Sequence, residues 1–117
     1  MSKFPLFLGT PANFIAAVVE KFRADLVTGN EYVFVADEPG VHLYVIHTGF
    51  VEVITVEGTT VGKLGPGQYF GEIAILVNVR RTSAVRTLSR CHFYKLSKED
   101  FEEVLEAYPE LRVRAIY

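Results

Sequence analysis

The feature that most limits the fold of this chain is a succession of short β-rich segments between residues 26 and 96. β-Branched and aromatic residues dominate these segments, and glycine, proline or asparagine separates them. The predicted strands are residues 32–36, 42–48, 50–57, 60–64, 82–88 and 91–96. Connections this short join antiparallel neighbours, because a parallel pair needs a crossover of a dozen or more residues. The sequence therefore predicts a mainly β, antiparallel β-roll or jelly roll over about residues 26–96.

Helical patterns flank this region on both sides. After Thr10 and Pro11, which suit the start of a helix, apolar residues recur at three- and four-residue spacing and predict a helix over about residues 11–24. Ser97 begins a capping box with aspartate in the place of the usual glutamate, which predicts a second helix over about residues 98–107. We expect residues 109–117 to begin a further C-terminal helix that the chain does not complete.

Composition limits the classes of protein that this chain can be. With 117 residues, half of them apolar, it is expected to form one domain, residues 1–117, with a packed core. Twelve basic and fourteen acidic residues give a net charge of −2, which argues against a nucleic-acid polymer as partner. Cys91 is the single cysteine, so no internal disulfide forms. The longest uncharged run, residues 4–19, contains Pro5, Gly9 and Pro11, so we expect a soluble chain without a membrane span.

Residues 65–83 break the β pattern and hold the groups best suited to bind an anion. Gly71 precedes one predicted turn of helix, whose first backbone N–H groups would face a ligand. Arg81 can donate to two phosphate oxygens at once, and the hydroxyl of Thr82 adds a neutral donor. Glu72 repels phosphate but accepts hydrogen bonds from sugar hydroxyls. Together these groups predict a site for a nucleotide that carries one net phosphate charge.

The spacing of these residues resembles the phosphate-binding cassette of the cyclic-nucleotide-binding domain. The matching residues are Phe70-Gly71-Glu72-Ile73-Ala74, Arg81-Thr82 and Ala84-Val85. Similar residues continue along nearly the whole chain, at 5–7, 43–46, 96–101 and 108–109. Thr82, where other branches usually carry alanine, and the ending over residues 104–110 resemble the hyperpolarisation-activated and cyclic-nucleotide-gated cation channels in particular.

The resemblance implies a site for cAMP or cGMP in a cassette over residues 70–83. Arg81 and the backbone following Gly71 would hold the cyclic phosphate, Glu72 would accept from the ribose 2′-hydroxyl, and Thr82 would contact the phosphate and the guanine amino group of cGMP. The residues implied to contact the nucleotide are Gly71, Glu72, Ile73, Ala74, Arg81, Thr82, Val53 and Val61, the two valines lining the base pocket. Asp37 stands where the family usually has glycine, and aspartate tolerates left-handed backbone better than most residues.

The same resemblance implies a non-enzymatic regulatory domain on the cytoplasmic side of a membrane protein. Nucleotide binding would allosterically modulate the gating of a cation channel, with a tetramer of channel subunits as the expected assembly and the membrane reached through the parent chain. Two alternatives are the nucleotide sensor of a bacterial transcription regulator or kinase, and a domain of the same fold that contacts other subunits without binding nucleotide.

Catalysis and a metal cofactor have little support in the residue pattern. His42 and His47 are separated by an odd number of positions on one predicted strand and therefore face opposite sides. Neither a cysteine nor an acidic cluster completes a ligand set with the three histidines, and no nucleophile is paired with an oriented base. We therefore expect a regulatory ligand and neither a metal cofactor nor an enzymatic activity.

Overall fold

The computed structural model describes residues 11–71 and 80–109. Helix α1 spans Ala12–Val19 and helix α2 spans Lys98–Glu106. The strands between them are β1 Arg23–Val27, β2 Tyr32–Phe34, β3 His42–Thr48, β4 Val51–Ile54, β5 Thr60–Leu64, β6 Tyr69–Phe70, β7 Ala84–Thr87 and β8 Cys91–Ser97. The protein is thus mainly antiparallel β with flanking helices, as the sequence predicted.

The strands form two four-stranded antiparallel sheets. The first has the order β1-β8-β3-β6, and the second has the order β2-β7-β4-β5. In the first sheet His42 pairs with Ser97 and Tyr44 pairs with Phe70, so β3 lies at the centre between β8 and β6. In the second sheet Phe34 and Val53 both pair with Val85. Neither sheet closes into a barrel within the residues that the structure describes.

Two hydrophobic clusters hold these layers together. One lies between the helices and the first sheet, where Phe14 of α1 meets Phe101 of α2 with ring centroids 6.4 Å apart. The other lies between the two sheets and is rich in aromatic rings. Its buried members are Phe34, Tyr44, Ile46, Val51, Phe70, Val85, Cys91 and Phe93. Phe70 is the last residue of β6, so this second cluster packs beneath the end of that strand, where the candidate functional site lies.

The second helix follows its sequence pattern closely. The Ser97 side chain accepts a hydrogen bond from the backbone N–H of Asp100 at 3.0 Å, so the predicted cap is confirmed. Glu99 and Asp100 lie in the first turn, where the helix dipole favours negative charge. The backbone N–H of Lys98 also donates to the carbonyl of Val41 at 2.8 Å. The start of α2 is therefore tied directly to the residue that precedes β3.

The first helix is shorter than the sequence predicted. It ends at Val19, and the predicted continuation to Ala24 is wrong, because Arg23–Val27 instead form β1 and pair with β8. Phe22 matches the helical spacing and does pack against the helix-side cluster, but it does so from a turn after the helix. The residues 72–79, which include the predicted cassette helix, and residues 110–117, which hold most of the predicted C-terminal helix, lie outside the described residues.

No helix in the described ranges combines the length and the apolar character that crossing a lipid bilayer requires.

Candidate functional site

The backbone of Gly71 and the side chain of Arg81 meet at the end of β6. Gly71 has a backbone φ of +80°, a conformation that residues with a Cβ rarely adopt. A Cβ placed on Gly71 would lie 2.8 Å from Nη1 of Arg81 and 2.9 Å from the carbonyl oxygen of His42, both too short for real contacts. Glycine is therefore required here for two reasons, backbone conformation and close approach. The guanidinium that the sequence singled out lies directly against the predicted start of the anion site.

The half-buried side chain of Arg81 is held in place from two directions. Its Nη2–H donates to the carbonyl oxygen of His42 at 2.9 Å. Its Cζ lies 3.9 Å from the centroid of the Phe34 ring, within the range of a cation–π contact. A hydrogen bond at one edge and an aromatic ring against one face fix the plane of the guanidinium. A fixed plane is what two-oxygen recognition of a phosphate needs.

The backbone of Arg81 is anchored to the turn at Asp37 and Glu38. Its N–H donates to the carbonyl of Glu38 at 2.8 Å, and its carbonyl accepts from the N–H of Asp37 at 2.7 Å. Asp37 has φ +73°, so the prediction that this aspartate tolerates left-handed backbone is confirmed. These two bonds place Arg81 shortly before the start of β7, near Gly71 at the end of β6.

The two neighbouring arginines differ sharply in their surroundings. Arg80 is mostly exposed, with 66% of its side chain accessible, and its Nη1–H donates to the carbonyl of Asp37 at 2.7 Å. Arg81 turns inward to Phe34 and His42 instead. The pair therefore offers a natural control, because both side chains carry the same charge and only one reaches the candidate site.

The aromatic cluster beneath Arg81 is closely packed. Tyr44 stacks on Phe70 with centroids 5.0 Å apart and an interplanar angle of 10°, and Phe34 lies 6.0 Å from Phe70. Burial raises the pKa of the Tyr44 hydroxyl above its ordinary 10.0, although the positive charge of Arg81 acts in the opposite direction. Tyr44 is therefore neutral at physiological pH and contributes no charge to the site.

His42 adds a titratable side chain on the same side of β3 as Tyr44, with ring centroids 5.9 Å apart. Burial lowers the pKa of His42 below its ordinary 6.5, and the positive charges of Lys95 and Arg81 lower it further. The imidazole is thus kept neutral beside Arg81, so it does not add a second positive charge there at physiological pH.

The remaining predicted contact residues are more dispersed. Thr82 is exposed and follows Arg81 before β7 begins. Val53 is half-buried in β4, pairs with Val85 and Gly62, and packs against the inter-sheet cluster. Val61 is 62% exposed at an irregularity in the pairing of β4 with β5, so its predicted contact with the base stays a prediction. Glu72, Ile73 and Ala74 lie outside the described residues.

Sequence reasoning did not identify the two groups that hold Arg81 in place. Phe34 could have been suspected as the aromatic residue of a short predicted strand, but nothing local connects it with position 81. The second group is the backbone carbonyl of His42, which accepts a hydrogen bond from Arg81. Every residue has such a carbonyl, so the residue type at position 42 does not reveal this contact. Within the described part of the chain, no three histidine, cysteine, aspartate or glutamate side chains come together as a metal-binding group.

Comparisons with known proteins identify a family and several relatives. Residues 26–108 match the family model described as cyclic nucleotide-binding domain. The potassium/sodium hyperpolarization-activated cyclic nucleotide-gated channel 4 of Oryctolagus cuniculus is 38% identical over 112 residues, which cover 96% of this chain and 9% of the channel. The chain therefore corresponds to a small part of the length of that relative.

Two solved structures share the fold at lower sequence identity. The N-terminal domain of a transcriptional regulator from Streptomyces coelicolor A3(2) superposes with a TM-score of 0.83 and 22% identity, covering 97% of this chain and 86% of that one. The C-linker/CNBHD of zELK channels, crystallized in the presence of cAMP, superposes with a TM-score of 0.84 and 20% identity, covering 98% of this chain and 59% of that one. The channel cyclic nucleotide-binding domains to which this chain is similar are regulatory and not enzymatic. The channel is thus a relative of this chain, and the match over residues 26–108 shows that this chain belongs to the cyclic nucleotide-binding domain family.

Proposed function

We propose that this domain binds cAMP or cGMP and that binding regulates the gate of a cation channel from its cytoplasmic side. The observation that carries the proposal is the position of the Arg81 guanidinium, which lies where a Cβ on Gly71 would collide with it and is aligned by Phe34 and His42. The channel similarity supports the cellular context, since this chain is 38% identical to a hyperpolarization-activated cyclic nucleotide-gated channel.

The chemistry of phosphate binding follows from this arrangement. A cyclic nucleotide carries one negative charge on its phosphodiester, and a guanidinium matches two of its oxygens with parallel N–H donors. Each such charge-assisted hydrogen bond contributes about 1.5–3 kcal/mol. Glu72 accepting from the ribose 2′-hydroxyl, and the backbone N–H groups of Ile73 and Ala74 donating to the phosphate, complete the proposed site. Thr82, Val53 and Val61 are proposed to contact the phosphate edge and the base.

The contacts of Arg81 suggest how binding would reach the C-terminal helix. The His42 carbonyl that accepts from Arg81 belongs to β3, and the preceding carbonyl, that of Val41, accepts from the N–H of Lys98 in α2. A phosphate held by this guanidinium would therefore be connected, through the His42 and Val41 backbone, to the start of α2. A ligand shifts a gate only by its difference in affinity between two states, so a tenfold preference supplies about 1.4 kcal/mol.

Calorimetric titration with cAMP and with cGMP tests the binding step. We expect saturable binding with one nucleotide per chain, and the ratio of the two affinities gives the preference of the domain between cAMP and cGMP. The Arg81→Ala variant should bind at least tenfold more weakly, because loss of one charge-assisted contact of about 1.5–3 kcal/mol corresponds to roughly 10–150-fold. Arg80→Ala is the matched control, since it removes the same charge from a side chain directed to Asp37. Equal affinities of wild type and Arg81→Ala would contradict the proposal.

The main alternative is a domain of this fold that contacts neighbouring subunits without binding nucleotide. The inward orientation of Arg81 favours the binding domain, because a surface-contact function does not require a guanidinium packed on Phe34. A sensor in a transcription regulator is supported by fold alone, at 22% identity. We also propose that the parent protein assembles from four subunits. Single-channel recording with and without cyclic nucleotide would measure the effect of binding on gating.

A further inference from the structure

Two of the three histidines come together on the face of the first sheet that lies away from the second sheet. His47 lies in β3 and His92 lies in β8, and their ring centroids are 5.1 Å apart with an interplanar angle of 86°. Thr48 pairs with His92, and the pairing of β3 with β8 shifts register between Ile46 and Thr48, which places His47 beside His92. The sequence pattern placed His42 and His47 on opposite sides of one strand. The fold brings His47 next to His92 on the neighbouring strand.

The surroundings of this histidine pair leave its nitrogens accessible. His47 is exposed and His92 is half-buried. In the part of the chain that the structure describes, neither ring takes part in a hydrogen bond or an ion pair. Tyr94 lies against both rings, with centroids 5.7 Å from His47 and 5.0 Å from His92. The tyrosine ring restricts the rotation of both imidazoles and so reduces the entropy lost when they converge on one ligand.

The separation of the rings fits one bound transition-metal ion. A Zn–N bond is about 2.0–2.1 Å, and the centre of an imidazole lies about 1.1 Å beyond its nitrogen, so two rings at a tetrahedral angle on one ion are about 5 Å apart. The observed 5.1 Å is close to this distance, so the two ring centres already have the spacing that one shared ion requires. Neutral imidazole is a good ligand for Zn²⁺, Ni²⁺ and Cu²⁺, and not for the hard ions Mg²⁺ and Ca²⁺.

We propose that His47 and His92 form a surface site for a divalent transition-metal ion of the Zn²⁺, Ni²⁺ or Cu²⁺ type. Two protein ligands with water in the other positions make an exchangeable site, unlike the closed four-ligand sites that hold structural zinc. The ion would join β3 to β8. Because β8 leads into α2 and β3 starts at His42, the ion would stabilise the two strands on which the proposed nucleotide response depends.

The third histidine provides an internal control. The His42 ring lies near Tyr44, on the opposite side of β3 from Val45 and His47, and its charged neighbours are Lys95, Arg81, Asp25 and Asp100. A His42→Gln variant therefore changes histidine content without changing the proposed site. His47→Gln and His92→Gln each remove one ligand from accessible positions.

Thermal unfolding in chelator-treated buffer tests the proposal. We expect Zn²⁺ or Ni²⁺ to raise the unfolding midpoint of the wild type and of His42→Gln, and EDTA to reverse the rise, because an ion that binds only the folded state stabilises it. The rise should be lost in His47→Gln and in His92→Gln, and Mg²⁺ should produce none. A metal-dependent rise that persists in both of these variants, or one that is absent from the wild type, would overturn the proposal.

A second measurement needs no variant. In the wild-type NMR spectrum, substoichiometric Ni²⁺ or Cu²⁺ should broaden the ring signals of His47 and His92 before those of His42. Equal broadening of all three histidines would mean non-specific binding and would refute the site. These outcomes do not depend on nucleotide binding, so the failure of one proposal is distinguishable from the failure of the other.

Discussion

Replacing Gly71 by alanine should destabilise the domain more than the same change at another glycine with positive φ. Gly71 and Gly67 have φ +80° and +87°, so each alanine would carry a backbone strain of about 1–2 kcal/mol. At Gly71 the new Cβ would in addition lie 2.8 Å from Arg81 Nη1 and 2.9 Å from the His42 carbonyl oxygen, whereas at Gly67 it would meet nothing within 4 Å. Overpacking of this kind costs about 1–3 kcal/mol.

Urea unfolding of Gly71→Ala and Gly67→Ala measures the difference directly. We expect Gly71→Ala to lose about 2–5 kcal/mol and Gly67→Ala about 1–2 kcal/mol. Gly71→Ala should also weaken nucleotide binding, because the carbonyl of His42 is backbone and cannot yield easily, so the Arg81 guanidinium is the group displaced. If the two variants were equally stable, the close approach of Gly71 to Arg81 would not exist in solution, and the account of the site would be refuted.

Three further predictions concern the capping and titration of individual groups. Ser97→Ala removes the cap on the Asp100 N–H and should lower the free energy of unfolding by about 1 kcal/mol in urea titration, and an unchanged midpoint would argue against the cap. The lowered pKa of His42 means that the unfolded chain binds a proton more readily, so stability should fall as the pH drops below 6.5, and His42→Gln should reduce that loss in urea unfolding. Burial raises the pKa of the Cys91 thiol above 9.0, so a thiol reagent should label native protein much more slowly than unfolded protein, and equal labelling rates would contradict its burial.

Local patterns predicted the elements whose ends are marked by turn residues. The predicted bounds of β3, residues 42–48, and of β5, residues 60–64, agree with the structure. The start of α2 was predictable because Ser97 is a strong cap followed by an amphipathic repeat. In these cases the residues that decide the structure are close together in sequence.

The elements that were missed depend on contacts between distant residues. The spacing of Phe22 continues the helical pattern, and its side chain does pack with the helices, so periodicity alone could not reveal that pairing with β8 makes Arg23–Val27 a strand. The two residues of β6 are too few to produce a pattern.

The candidate site also has parts that the sequence predicts and parts that depend on contacts between distant residues. Arg81 and Gly71 were identified from residue type and spacing, and the structure brings them so close that a Cβ on Gly71 would lie 2.8 Å from Nη1 of Arg81. The contacts that align Arg81 could not be predicted, because Phe34 and the His42 carbonyl reach it only after the two sheets have packed. The exposure of Val61 follows from a shift in the pairing of β4 with β5, which alternation of side chains does not reveal.

A crystal structure of this domain grown with saturating cAMP tests the central claim most directly. We expect a cyclic phosphate oxygen about 2.7–2.9 Å from a guanidinium nitrogen of Arg81, with the ligand bound beside Gly71. A nucleotide bound elsewhere on the domain, with Arg81 still held between Phe34 and the His42 carbonyl, would contradict it.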